Sequence, residues 1–414
     1  MNLITSLSIK NFFSIKNKVH VNFKASPYNI DNNKERLFLF NNNYYNKVIS
    51  FYGPNASGKT TCLKALIVLF NVANHEQVDD FTKSFKNKFA DINDRSEIDI
   101  TFIINDNNNY REFSYKLTFE FEGYSNTGIN NEILTELING KEIILFNRKE
   151  KIIQNVADNI MLNIFNDLSP TKSLFTEFEK FEETTIIKQI RHFFKCARTA
   201  SNIGVHNTRL NTNSNDEYKI GLFLNGLKNE IDKGSVLHHE LNLFFLSFFK
   251  SINIDIEKIE AKFDNKNDEG NEFLGIEIFH KINKKEPLEF KFESDGTQML
   301  MKLLLDIFMI KHTKSILILD EFDSIIHPML TPIIINLLIK NNIQTIYSTH
   351  NIYNMKFLQN DEIFLIEKDL EHKTTINAVK DNSDIKGFEN LLTYYENGYL
   401  GGTPNITNLI TKIV

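Results

Sequence analysis

The hydrophobic and polar positions of this chain change period several times, and each change predicts an element. Over residues 1–24 apolar and polar residues alternate, as in Leu3, Thr5, Leu7 and Ile9 and again in His20-Val21-Asn22-Phe23, which predicts two strands. Residues 29–47 are Asn-rich and polar and read as a surface excursion. A short β-rich run over 48–52 leads into a glycine-rich turn and then a helical stretch over 61–70, with helix and loop continuing to 95. Over 97–147 a strand at 98–104, a turn at 105–109 and an alternating run from Phe113 to Phe121 open an antiparallel meander. Residues 150–250 read as mostly helical, broken by a loop at 211–215, with no sustained heptads. Strands return at 273–279 and 288–292. From 294 onward helices alternate with continuous apolar runs, the pattern of parallel α/β structure. The pattern predicts an α/β fold with three parts: an N-terminal lobe over 1–150, a helical lid insertion over 151–270 and a C-terminal lobe over 271–414. No internal repeat is present.

The turn after the 48–52 run carries the first chemistry. Gly53-Pro54-Asn55-Ala56-Ser57-Gly58-Lys59-Thr60 fits the phosphate-cradling pattern G-x-x-x-x-G-K-[ST] at every fixed position, in the required strand–loop–helix context, with Thr61 following. Gly53 and Gly58 let the backbone turn successive N–H groups inward, and the helix beginning near Lys59 adds its positive end. Lys59 is placed to reach the β- and γ-phosphates of ATP, and the Thr60 hydroxyl to ligate Mg²⁺.

Three later segments supply complementary groups. The apolar run 315–319 ends in Asp320-Glu321, and a buried parallel strand presents its C-terminal residues to ligand. Asp320 suits Mg²⁺ binding, and Glu321 suits polarising an attacking water. His350 ends a second such strand, 30 residues after Asp320, about one βαβ step away, and suits a γ-phosphate sensor. Ser294-Asp295-Gly296-Thr297-Gln298 precedes the helix 299–310 and offers a further anion site, although a capped helix explains the same residues.

Composition narrows the class. The chain has 414 residues, a net charge of −6 and 42% hydrophobic residues, enough for a large core. No run of about 18 apolar residues exists, so no membrane span is expected. Its N-terminus lacks the layout of a signal peptide, and Cys62 and Cys196 are too few for a disulfide framework or a zinc site. A cytoplasmic location is expected. His238-His239 lacks further ligands and makes a poor metal site.

Taken together, Gly53–Thr60, Ser294-Asp295-Gly296-Thr297-Gln298, Asp320-Glu321-Phe322-Asp323-Ser324-Ile325-Ile326-His327-Pro328 and Ser348-Thr349-His350-Asn351 resemble the Walker A, signature, Walker B with D-loop, and switch-histidine motifs of ABC-type ATPases. The nearest resemblance is to the SMC/RecF-like AAA ATPases of bacterial abortive-infection and overcoming-lysogenisation-defect systems. The ending Tyr395-Glu396-Asn397-Gly398-Tyr399-Leu400-Gly401-Gly402-Thr403-Pro404 is similar to the tail of that group, and Ile9-Lys10-Asn11-Phe12-Phe13-Ser14 to its opening strand, with Phe13 where the group usually has arginine. No glutamine follows a clear strand in the meander, so the group's Q-loop has no evident counterpart.

The resemblance implies an ABC-type ATPase head that pairs with a second copy, as a homodimer or higher homo-oligomer, around ATP and Mg²⁺. Lys59, Thr60, Asp320, Glu321 and His350 would act from one copy, and the signature Ser294 and Gly296 from the other; Asp323 and Ser324 fall in the D-loop. Neither the long coiled coil of repair ATPases nor a fused nuclease domain is expected from this sequence. It therefore resembles a stand-alone sensor or scaffold in anti-phage defence, controlling a separately encoded nuclease or toxin. The alternative is a RecF/SMC-like repair ATPase acting on DNA. One surface bears on partners: Lys188, Arg191, His192, Lys195 and Arg198 fall at helical spacing and could face DNA or an acidic protein, although a solvated helix face has the same composition.

Overall fold

The structure is a computed structural model, and it describes all residues except 28–32, 75–84, 92, 107–108, 124, 151, 157–167, 179–184, 201–234, 265–271, 370–372, 382–390 and 404–414. The chain forms two compact units. The first comprises 1–206, 313–324 and 332–414, and the second 207–312 and 325–331.

Two large sheets and one two-stranded hairpin build the first unit among the described residues. One has seven strands, from β1 (Leu3–Lys10), β2 (Val19–Asn22) and, after a small hairpin of β3 (Leu37–Phe40) with β4 (Asn43–Asn46), the later strands β6 to β10. Between these lie β5 (Val48–Tyr52) and helix α1 (Lys59–Ala73). The meander is β6 (Ser96–Asp106), β7 (Asn109–Glu122), β8 (Ser125–Ile138), β9 (Lys141–Lys149) and β10 (Ile152–Val156). The sheet order is β10-β9-β8-β7-β6-β1-β2, and each neighbouring pair is antiparallel. Strand β2 alternates inward and outward residues, with Val19 and Val21 buried and His20 and Asn22 exposed, whereas β1 is buried along most of its length.

The other sheet has six strands. Helices α2 (Leu174–Phe178) and α3 (Thr185–Cys196) precede its edge strand β11 (Arg198–Ala200). The strands β12, β13 and β14 belong to the second unit, as described below. Then follow β15 (Ile316–Asp320), β16 (Gln344–Ser348), β17 (Ile363–Lys368) and β18 (Thr374–Ala378), in the order β11-β15-β16-β5-β17-β18. All pairs are parallel except β17 with β18. Every residue of β5 and β16 is buried, which is why they read as continuous runs without alternation. Helix α1 buries both faces, and Leu66, Leu69 and Phe70 join one apolar core with Phe102 and Phe119 of the meander and Phe193 and Phe194 of α3.

Burial within this unit also fixes polar groups. Arg148 and Glu132 are fully buried, 3.6 Å apart; Glu132 accepts hydrogen bonds from the Tyr115 hydroxyl (2.8 Å) and Leu174 N–H (2.9 Å). Arg148 donates to the carbonyl of Lys172 at 2.8 Å, so the pair pins the 168–176 segment to the meander. Arg36 makes a two-pronged buried contact with Glu362, at 2.8 and 2.7 Å.

The second unit contains helix α4 (Ser235–Ser251), a three-stranded antiparallel sheet of β12 (Ile256–Asp264), β13 (Glu272–His280) and β14 (Asn283–Glu289), and helix α5 (Asp295–Thr313). Helix α6 (Thr331–Lys340) lies between β15 and β16 in the chain, and α7 (Leu391–Glu396) follows β18.

Several elements differ from the sequence reading. Residues 37–46 form a hairpin inside the polar excursion, with Tyr45 buried. Strands β10 and β11 occur within 150–250, read as mostly helical, and β12 within the 151–270 span assigned to the helical lid. The strand expected at 288–292 ends at Glu289, and Phe290–Phe292 is a single 3-10 turn. No described helix is long and apolar enough to cross a membrane.

Candidate nucleotide site

The glycine loop sits where the sequence places it, between β5 and α1. Gly53 has φ 152°, and a Cβ there would lie 2.2 Å from the carbonyl oxygen of Ile366 on β17. Gly58 has φ 122°, with the Ser14 hydroxyl 3.1 Å from where its Cβ would be. Only glycine fits both demands. The loop is clasped from outside. Ser14 shares a 2.8 Å hydrogen bond with the Thr61 hydroxyl, and Thr374 donates to the carbonyls of Ser14 (3.2 Å) and Ser57 (3.3 Å).

Lys59 folds back over this loop. Its ammonium donates to the carbonyls of Gly53 (2.9 Å) and Pro54 (3.0 Å). Burial lowers its pKa to about 8, against the opposing pull of Glu321 and Asp320. The group stays an ammonium at neutral pH and loses its proton only as the pH passes about 8.

The acidic strand β15 meets the loop through Asp320. Thr60 Oγ1 donates to Asp320 Oδ1 at 3.0 Å, and the Ser348 hydroxyl donates to the same carboxylate oxygen. This hydroxyl and carboxylate are hard oxygen donors of the kind Mg²⁺ prefers, so the residues present fit that metal. Glu321 adopts φ 49°, unusual for a residue with a side chain. Its N–H is held by both the carbonyl (3.1 Å) and the hydroxyl (3.2 Å) of Ser348. That bend directs Glu321 Oε1 to within 3.0 Å of His350 Nε2. Both side chains are about two-fifths exposed, at 43% and 40%. Below them, Asp323 is buried and bonded by Thr349 and Asn354.

A cavity of about 1110 Å³ opens beside this cluster, lined by Gly53, Asn55, His350, Glu367, Tyr395 and Gly401 among others. The 395–403 turn thus forms one wall of this cavity: Gly402 N–H donates to Glu367 Oε1 and Tyr395 OH to the Gly402 carbonyl, each at 2.5 Å. Glu367 and Thr374 carry no motif, and sequence reading did not single them out.

The structure therefore brings together Gly53 to Thr61, Asp320, Glu321, Asp323 and His350 within the first unit. Ser324 follows in the same turn, its N–H bonded to the Glu321 carbonyl at 3.0 Å. Ser294, Asp295, Gly296, Thr297 and Gln298 lie in the second unit at the start of α5. There Ser294 Oγ accepts from the Thr297 N–H (3.2 Å), an N-terminal cap, and Gln298 Nε2 donates to the Glu293 carbonyl (2.9 Å). The basic stripe is shorter than expected. Lys188 and Lys195 are exposed on α3 and Arg191 is half-buried, but the helix ends at Cys196. Arg198 lies in β11, paired with Leu317, and is not part of the helical face.

With this geometry in view, the relatives can be stated. Residues 48–355 match the family described as "AAA domain, putative AbiEii toxin, Type IV TA system". Curated protein sequences give no match. Among solved structures the chain is similar to an SMC head domain from Thermotoga maritima, at 14% identity and TM-score 0.41, covering 91% of this chain and 98% of that one. It is also similar to an SmcHead bound to the C-winged helix domain of ScpA (12%, TM-score 0.45, 90% and 97% covered). A third is an Smc head domain with an extended coiled coil bound to the C-terminal domain of ScpA, from Pyrococcus furiosus (15%, TM-score 0.41, 91% and 96% covered). Similarity at this level assigns neither activity nor partner. With its glycine loop, acidic strand and histidine all inside the matched span, the chain belongs to the AAA-domain family of the putative AbiEii toxin type.

Proposed function

We propose that this protein binds ATP with Mg²⁺ and hydrolyses it, as the sensor or scaffold subunit of an anti-phage defence system that controls a separately encoded effector. The observation that carries the hydrolytic reading is the convergence of Lys59, Thr60, Asp320, Glu321 and His350 on one loop.

The chemistry follows from those contacts. The triphosphate draws Lys59 off the Gly53 and Pro54 carbonyls, because phosphate oxygens are stronger acceptors than amide carbonyls. Thr60 and Asp320 would hold Mg²⁺, which would neutralise charge on the phosphates. Glu321 orients the attacking water and accepts its proton. His350, beside Glu321, donates toward the γ-phosphate and keeps the glutamate aligned. Ser294 and the start of α5 act from a second copy, so that ATP joins two heads and hydrolysis releases them. The family description supports the toxin-system context.

A second reading, a repair-type ATPase acting on DNA, draws on the exposed Lys188 and Lys195 of α3. The two are separated by isolating the Glu321→Gln protein with Mg-ATP from its native gene neighbourhood. A stoichiometric second protein supports the sensor reading. Nucleic acid without protein overturns it in favour of the second.

A further inference from the structure

Two residues beyond Glu321, the chain turns Asp323 inward instead of offering it to a second head, as its D-loop resemblance would suggest. Asp323 is 7% exposed. Its Oδ2 accepts from Thr349 Oγ1 at 2.6 Å and from Asn354 Nδ2 at 2.7 Å. Thr349 Oγ1 in turn accepts from Asn351 N–H at 2.8 Å, and Asn354 N–H donates to the Asn351 carbonyl at 3.2 Å. Two side chains of the 349–354 loop thus meet on one carboxylate oxygen, while the Thr349 N–H bonds the Phe51 carbonyl of β5 at 3.2 Å.

The arrangement has a mechanical consequence. Glu321 and His350 are both substantially exposed, so packing alone does not fix their 3.0 Å separation. Each is adjacent to the buried contact: Asp323 is two residues after Glu321, and Thr349 one residue before His350. We propose that Asp323 is a positioning residue that latches the histidine-bearing loop to the glutamate-bearing turn through Thr349 and Asn354. It acts through where it holds His350, by way of Thr349 and Asn354. The inference rests on the hydrolytic reading of Glu321 and His350.

Steady-state ATP hydrolysis and ATP affinity, measured on the full chain, test it. Asp323→Ala is expected to lower kcat by about 10- to 100-fold, the scale of an ångström-level misplacement, while ATP affinity changes by less than about threefold. Thr349→Val is expected to reproduce that split, and Thr349→Ser, which keeps the hydroxyl, to restore kcat to within about threefold. If Asp323→Ala fails to fold, the Thr349 pair carries the test alone. Wild-type kcat in Asp323→Ala or Thr349→Val, equal losses of affinity and kcat, or no recovery in Thr349→Ser would each overturn the latch. The hydrolytic reading fails separately, if Glu321→Gln retains the wild-type rate.

Discussion

Glu321 Oε1 and His350 Nε2 lie 3.0 Å apart, joining the ends of two adjacent parallel strands. In the proposed mechanism the pairing would couple the proton acceptor Glu321 to the γ-phosphate sensor His350. Removing the imidazole by His350→Ala should reduce kcat by about 10²- to 10⁴-fold, the usual scale for a positioned acid–base group. ATP affinity should fall much less, because Lys59 and the loop amides remain. Rapid-quench turnover alongside equilibrium binding checks both parts.

Nucleotide affinity should depend on pH through Lys59. Its free-state pKa is lowered to about 8 by burial, and bound phosphate raises it again. Below about pH 8 the ammonium is already charged and affinity is flat. Above it, binding must recruit a proton, and affinity should weaken by up to about tenfold per pH unit. Calorimetry of ATP binding in buffers of different ionisation enthalpy should register proton uptake near pH 9 and none near pH 6.5.

Gly53 should tolerate no side chain. A Cβ at 2.2 Å from the Ile366 carbonyl requires the loop or β17 to move, and φ 152° adds strain for any L-residue. Gly53→Ala should lose most ATP binding, about 10-fold or more, with a lowered melting temperature. Binding of a fluorescent ATP analogue and a thermal melt give the two values.

Arg148 should be worth more to stability at neutral than at acid pH. Burial raises the pKa of Glu132, while Arg148, Leu174 N–H and Tyr115 oppose that rise. Arg148→Met leaves a buried carboxylate uncompensated and should cost about 3–5 kcal/mol at pH 7.5. The folded-state pKa of Glu132 rises further in the variant, so protonation relieves the penalty as pH falls toward its unfolded value. Urea unfolding at pH 5 and pH 7.5 should show the smaller deficit at pH 5.

The parts of this site legible in the sequence were those held by short spacings. Gly53 to Thr60, Asp320-Glu321 and His350 each sit at the end of a buried strand, where an apolar run stops abruptly at polar residues. The hairpin at 37–46 escaped because Asn41, Asn42, Asn43 and Asn46 dominate its composition, although Tyr45 is buried. β12 escaped because its exposed face is charged; Lys262 pairs across to Glu277 at 2.8 Å, a contact visible only once the strands are aligned. The basic stripe was extended to Arg198 by counting helical turns, whereas pairing with Leu317 of β15 converts that segment to strand. Thr374, which grips Ser14 and Ser57, and Glu367, which grips Gly402, act on distant or unpatterned partners, and no local periodicity announces them.

The most direct measurement is phosphate release from ATP and Mg²⁺ by wild-type and Glu321→Gln protein, with molar mass followed by light scattering in the same samples. The account predicts turnover by the wild type, a loss of about 10²-fold or more in the variant, and a doubled mass that persists only when the variant holds ATP. Equal turnover by the two proteins would contradict the role of Glu321, and an unchanged mass in the ATP-bound variant would contradict the nucleotide-joined pair of heads.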